Sequence, residues 1–145
     1  MSNQYMQAFP EVDTVLLVSP FDEDRLNLRS VLRHSNLQPY TTRTLAEAME
    51  YLRENATPVV ICEGDLSDGT WKDLLSQFAR MECPPLLVVT SRFADERLWS
   101  EVLNMGAYNV LAKPLSAKEV LYVLGLACEA WKHSWQMPRA LACTA

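Results

Sequence analysis

The sequence predicts an α/β domain in which an open, five-stranded parallel sheet carries helices on both faces. Three observations predict it. Short apolar runs without polar alternation, Val15–Val18, Val59–Cys62 and Leu86–Val89, read as strands covered on both sides. Segments whose apolar residues recur every three or four positions follow such runs, and the connections are only about two to eight residues long. The 145 residues, 49% hydrophobic and 21% charged, suffice for one such domain and not for two.

Taken in order, residues 14–18 form the first strand. Asp22, Glu23 and Asp24 then place acids where they complement the dipole of a helix running to about Arg33, with Leu28, Val31 and Leu32 on its inner face. Gln38–Thr42 is a weaker strand. Thr44 with Glu47 three residues on is a capping-box pattern, and Leu45, Ala48, Met49 and Leu52 define the buried face of the second helix. Pro58 precedes the third strand, which runs into the turn formers Gly64, Asp65, Ser67, Asp68 and Gly69. A third helix spans about Thr70–Arg80, and Pro84-Pro85 separates it from the strand Leu86–Thr90. The fourth helix, about Ala94–Asn104, ends at Gly106, a left-handed cap, before a fifth strand over Tyr108–Ala112. Ser116 and Glu119 open a last helix to about Lys132, with Val120, Val123, Leu124, Ala127 and Trp131 inward.

The net charge of −5 provides no field to attract phosphate backbones or anionic lipid, so neither nucleic acid nor membrane is an expected partner. No apolar run approaches the roughly 20 residues that cross a bilayer. Met1–Pro10 has neither a basic nor an apolar stretch of signal-peptide type, so a cytoplasmic location is expected. Cys62, Cys83, Cys128 and Cys143 form no close pair and are expected as reduced thiols. Four scattered glycines provide no phosphate-binding turn, and His34 and His133 stand alone, so neither a nucleotide-binding nor a hydrolase site is expected.

Five βα units suit the flavodoxin-like strand order 2-1-3-4-5, in which ligands lie outside the carboxyl ends of strands one and three. The strand ends read Ser19-Pro20-Phe21, Cys62-Glu63-Gly64-Asp65, Thr90-Ser91-Arg92 and Lys113-Pro114, so an acid, hydroxyls and a lysine converge. Lys113-Pro114 follows Gly106 by seven residues, and Glu63 is followed by Leu66 and by Asp68-Gly69. On these residues the chain resembles the receiver domain of two-component response regulators, in particular the single-domain chemotaxis type. The resemblance covers a domain over 12–132, flanked by tails 1–11 and 133–145.

The resemblance implies that Glu63 holds the phosphoacceptor position, where the family has aspartate. Ser19, Pro20, Asp65, Thr90, Ser91, Lys113 and Pro114 surround that position, Thr90 and Ser91 being alternatives for the pocket hydroxyl. The family's two metal-binding acids are replaced by Ser19-Pro20, a weak neutral ligand and a residue with no ligand atom in its side chain. The aromatic switch position is Val110. Phosphoryl transfer depends on metal and lysine to neutralise developing charge, so a binding domain without cofactor is expected, not an enzyme. Glu63 would then substitute for a phosphorylated acid and pair with Lys113.

The expected function is that of a stand-alone pseudo-receiver in phosphorelay signalling. It would meet a signalling partner or a second copy through the fourth helix, fifth strand and fifth helix, with Trp99, Leu103 and Tyr108, and further on Trp131 and Trp135, as aromatic and apolar anchors. The alternative is a working regulator that accepts a phosphoryl group at Glu63 or Asp65 with magnesium, Asp22 and Asp24 swinging in. A more distant alternative is a thiol enzyme using Cys62, although strand alternation points Cys62 away from Glu63.

Overall fold

A computed structural model of the chain describes residues 13–134. The expected tail 1–11, the last residues from Trp135 onward and Cys143 lie outside the described residues. The elements run β1 (Asp13–Val18), α1 (Asp22–Leu32), β2 (Leu37–Thr42), α2 (Leu45–Glu54), β3 (Val59–Glu63), β4 (Asp65–Leu66), β5 (Gly69–Thr70), α3 (Trp71–Phe78), β6 (Leu86–Ser91), α4 (Glu96–Asn104), β7 (Asn109–Ala112) and α5 (Ala117–Ser134). The main sheet is five-stranded in the order β2-β1-β3-β6-β7, all neighbours parallel. Counting its own strands, that is 2-1-3-4-5. The antiparallel pair β4–β5 is a small hairpin that the sequence pattern did not separate from a loop.

Strand alternation divides the core between the two faces. Leu16, Val18, Val60, Cys62, Leu87, Val89 and Val110 pack against Ala48 and Leu52 of α2, Leu74 and Phe78 of α3 and Val102 of α4. Val15, Leu17, Val59, Ile61, Val88 and Leu111 pack against Leu28 and Leu32 of α1 and Val120, Leu124 and Ala127 of α5. The central runs are apolar throughout because both of their faces are covered.

Helix ends follow local chemistry. Thr44 caps α2 by accepting from the Glu47 N–H at 3.2 Å, while the Glu47 carboxylate accepts from the Arg43 N–H at 2.7 Å. Thr70 and Asp73 form a full capping box at α3, and Asp95 caps α4 by accepting from the Leu98 N–H at 2.9 Å. Asp68 reaches from the hairpin to α2, accepting from the Leu45 and Ala46 N–H groups at 2.9 and 3.1 Å. Those bonds, Leu45 first, hold its carboxyl below the usual range. Gly69 turns the hairpin at φ 151°, where a Cβ would stand 2.5 Å from Leu45 Cδ1.

Among the described residues no helix is long and apolar enough to cross a membrane. Cys62 and Cys128 are buried free thiols, as expected, but Cys83 is disulfide-bonded. Spacing along the chain misled there, because a bridge requires proximity in space and not in sequence.

Candidate functional site

Parity at the carboxyl edge of the sheet decides which side chains meet. Glu63 follows Val59 and Ile61 in alternation, and Thr90 follows Val88, so both turn to the face covered by α1 and α5. Glu63 and Thr90 are also register partners. The ladder continues past two other strands, the Ser19 N–H donating to the Thr42 carbonyl and the Lys113 N–H to the Ser91 carbonyl, each at 3.0 Å. By the same parity Ser19 and Lys113 face α1 as well.

Four residues form one buried network. Lys113 Nζ donates to Glu63 Oε1 and, at 2.9 Å, to Asp24 Oδ2. The Ser19 hydroxyl donates to the same Asp24 oxygen at 2.6 Å and accepts from the Phe21 N–H at 3.1 Å. Only 8% of the Lys113 side chain, 6% of Asp24 and 11% of Glu63 is exposed. The Phe21 ring covers the ammonium at 4.9 Å from its centroid. An ammonium has three donor hydrogens, so two carboxylates and a ring face leave it no unused direction. Burying an ion pair is favourable only when geometry and added hydrogen bonds are good, and here Ser19 supplies such a bond. Thr90, beside this network, differs: its buried Oγ1 has no hydrogen-bond partner among the described residues.

Of the residues nominated from sequence, the structure brings together Ser19, Glu63, Thr90 and Lys113. Pro114, joined to Lys113 by a cis peptide bond, lines a cavity of about 280 Å³ beside them with Glu23, Asp24, Asn27 and Arg92. Pro20 contributes only its carbonyl, which accepts from Arg43 Nη1 at 2.8 Å. Ser91 has the opposite parity to Thr90, and its hydroxyl accepts from the Phe93 N–H at 3.0 Å, so of the two hydroxyls Thr90 is on the side of the network. Asp65 is exposed in the hairpin, where β-pairing with Thr70 holds it away from the network.

From sequence, Asp24 is a helix-dipole acid or, in the magnesium-dependent alternative, an acid that swings in with Asp22. It sits on the third residue of α1, and the turn from Ser19 to Asp22 swings it inward, while Asp22 stays exposed and pairs with Arg25 and Arg43. The sequence signal was present in the acids after Pro20, but nothing in it distinguished the buried one.

The remaining nominations fall elsewhere. Val110 is buried on the α2–α4 face, whereas Tyr108 packs toward the α1–α5 cluster. Alternation over a strand Tyr108–Ala112 would put them on one face; they lie on opposite faces because β7 begins only at Asn109. Tyr108 is half-buried, so it is a poorer surface anchor than Trp99 and Leu103 on α4, which are 39% and 46% exposed. Trp131 is buried and donates to the Pro84 carbonyl at 3.1 Å. Cys62 lies in the core on the face opposite Glu63; burial first, then the Glu63 charge, pushes its thiol pKa upward, which removes the thiolate a nucleophile requires.

A divalent cation fits this donor set poorly. Among the described residues no group of three or more His, Cys, Asp or Glu side chains is placed to hold a metal ion. The two carboxylates that do converge, Asp24 and Glu63, both bind the Lys113 ammonium. A hard cation seeking oxygen ligands would have to displace that ammonium from a buried position.

Neither a family model nor a curated relative matches the sequence. Solved structures do match. The signal receiver domain of an HD domain-containing protein from Pseudomonas fluorescens Pf-5 superposes with a TM-score of 0.79 at 20% identity, covering 89% of this chain and 96% of that one. The chemotaxis response regulator CheY4 of Vibrio cholerae gives 0.71 at 16% identity, covering 80% and 98%. The beryllofluoride-activated NtrC4 receiver domain, solved as a dimer, gives 0.73 at 22%, covering 82% and 98%. The chain therefore has the fold of response-regulator receiver domains.

Proposed function

We propose that this domain is a pseudo-receiver of two-component signalling that works by protein contact, without phosphorylation and without magnesium. The observation that carries this reading is the Lys113 ammonium held between Glu63 and Asp24. In a phosphoryl-transfer site a lysine must be available to charge developing on the phosphoryl oxygens. Here two carboxylates of the same chain already engage it. Glu63, one methylene longer than aspartate, carries its charge to the lysine and supports a fixed conformation in place of a switched one. Val110, aliphatic and buried, suits the same reading, since no ring is present there to rotate.

The surface proposed for partners is α4, β7 and α5, with Trp99 and Leu103 as its exposed apolar anchors on α4. The competing reading, a working acceptor at Glu63 or Asp65, would need Lys113 released or a carboxylate moved out of the hairpin. Intact mass after exposure to magnesium and a small acyl phosphate separates the two. Wild type is expected to remain unmodified, and a hydroxylamine-labile adduct on wild type would overturn the proposal. Glu63→Asp is expected to stay unmodified as well, because Asp24 still holds Lys113. Labelling of the double variant Glu63→Asp, Asp24→Asn alone would place the block in the lysine's two partners.

A further inference from the structure

Helix α5 buries Val120, Val123, Leu124, Ala127 and Trp131 on its inner side, yet its outer side is not polar. Leu121, Tyr122 and Leu126 stand exposed there, Tyr122 at 68%, around an exposed Gly125. A surface helix of a single folded unit ordinarily turns charged and polar residues outward. Glycine weakens a helix interior, and a Cβ built on Gly125 would meet nothing within 4 Å, so packing among the described residues does not call for it. Lys118, Tyr122, Gly125 and Glu129 follow the i, i+4, i+7, i+11 spacing that lines one stripe along a helix. Lys118 and Glu129 end that stripe, about 16 Å apart along the axis. Both are exposed, and neither has an ion-pair partner among the described residues.

Reversed end for end, the stripe complements itself. Lys118 and Glu129 are centred on the point between Val123 and Leu124, and so are Tyr122 and Gly125. Two copies of α5 laid antiparallel about that point bring Lys118 of each onto Glu129 of the other. The same placement seats each Tyr122 ring over the bare backbone of the other copy's Gly125, beside its Leu126. We propose that this face is the contact with a second copy of this chain, in a two-fold, antiparallel α5–α5 pair. Two-fold symmetry makes each ion pair and each ring contact twice. Parallel pairing is disfavoured by the same residues, because it sets Lys118 on Lys118 and Glu129 on Glu129. A single helix pair belongs with the transient interfaces, below about 1,200 Å² of buried surface, so the dimer is expected to exchange with monomer at micromolar concentrations. Resting on the reading of this domain as one that works by protein contact, the pairing names one partner and leaves Trp99 and Leu103 on α4 open to another.

Sedimentation equilibrium of the full chain, across micromolar to millimolar concentrations, tests the pairing. Wild type should pass from monomer mass to dimer mass. Lys118→Glu and Glu129→Lys should each weaken the dimer by about tenfold or more, because each sets like charges against one another at both ends. Mixed in equal amounts, those two variants should dimerise as wild type does, since each copy then meets its opposite charge in the other. Gly125→Gln should strengthen the helix and still weaken the dimer, by filling the space for the Tyr122 ring. Trp99→Ala should leave it unchanged. A wild type that is monomeric at every concentration, a dimer indifferent to the charge reversals, a mixture that stays monomeric, or a dimer lost with Trp99→Ala would each overturn the α5 pairing. Failure here is separable from failure of the underlying reading: a monomer that acyl phosphate leaves unmodified sinks the pairing alone, whereas a phosphorylated wild type sinks the reading beneath it.

Discussion

The two edges of the main sheet are built in opposite ways. At the carboxyl edge charged groups are buried, and Lys113, Glu63 and Asp24 satisfy one another within the chain. At the amino edge an apolar groove lies among Pro84, Pro85 and Met105, of which Met105 is 47% exposed. In a doubly wound sheet the carboxyl edge is the usual ligand crevice. A crevice filled by its own ions is expensive to open, whereas an apolar groove costs little to cover and gains from being covered. The comparison teaches that this chain satisfies its buried charge internally at one edge and keeps an apolar groove at the other.

Substitutions at the two edges should therefore differ in cost, and the largest cost should come from Lys113→Met. It leaves Glu63 and Asp24 facing each other in a buried site, and denaturant unfolding should show a loss of about 3–5 kcal/mol. A loss below about 1 kcal/mol would mean that the network is solvated and the contrast between edges is false. Gly69→Ala comes next, with about 1–3 kcal/mol expected from the positive φ and the contact with Leu45. A neutral result would show that the hairpin beside the site is free to shift.

Asp68→Asn turns one of the two oxygens that accept from Leu45 and Ala46 into an amide N–H that cannot accept, and should cost about 1 kcal/mol. Its sign with pH follows from the lowered carboxyl of the folded state. The stabilisation is present above the unfolded carboxylate value of about 3.9 and is lost as pH falls through the folded one. The gap between variant and wild type should therefore be full at neutral pH and close in acid. The smallest effect belongs to the amino edge, where Met105→Ser should change stability by no more than about 0.5 kcal/mol. A larger loss there would show that the groove lining belongs to the core.

Much of this was legible in the sequence. Continuous apolar runs located the three central strands and their burial, and alternation placed Cys62 away from Glu63. The lysine was found because Lys113-Pro114 ends the last strand at a set distance from Gly106. Asp24 stood only beside Asp22 in the alternative reading, because acids in a first helical turn have a generic reason to be there and only the path of the chain after Pro20 turns one of them inward. The expected last strand began one residue early, at Tyr108, which lies just outside β7. The hairpin β4–β5 is two residues a side, too short for any periodicity to register.

Lys113 is held by Glu63 and Asp24, and on the proposed reading this withholds it from phosphate and metal. That withholding is tested most directly by following the Lys113 side-chain ammonium by nitrogen-detected NMR while magnesium is added. A single slowly exchanging ammonium signal, unmoved by millimolar magnesium and lost only when both Glu63→Gln and Asp24→Asn are introduced, is the result predicted. A signal that shifts or exchanges rapidly as magnesium is added to wild type would contradict the account, because it would show the lysine released and the pocket open to a metal ion.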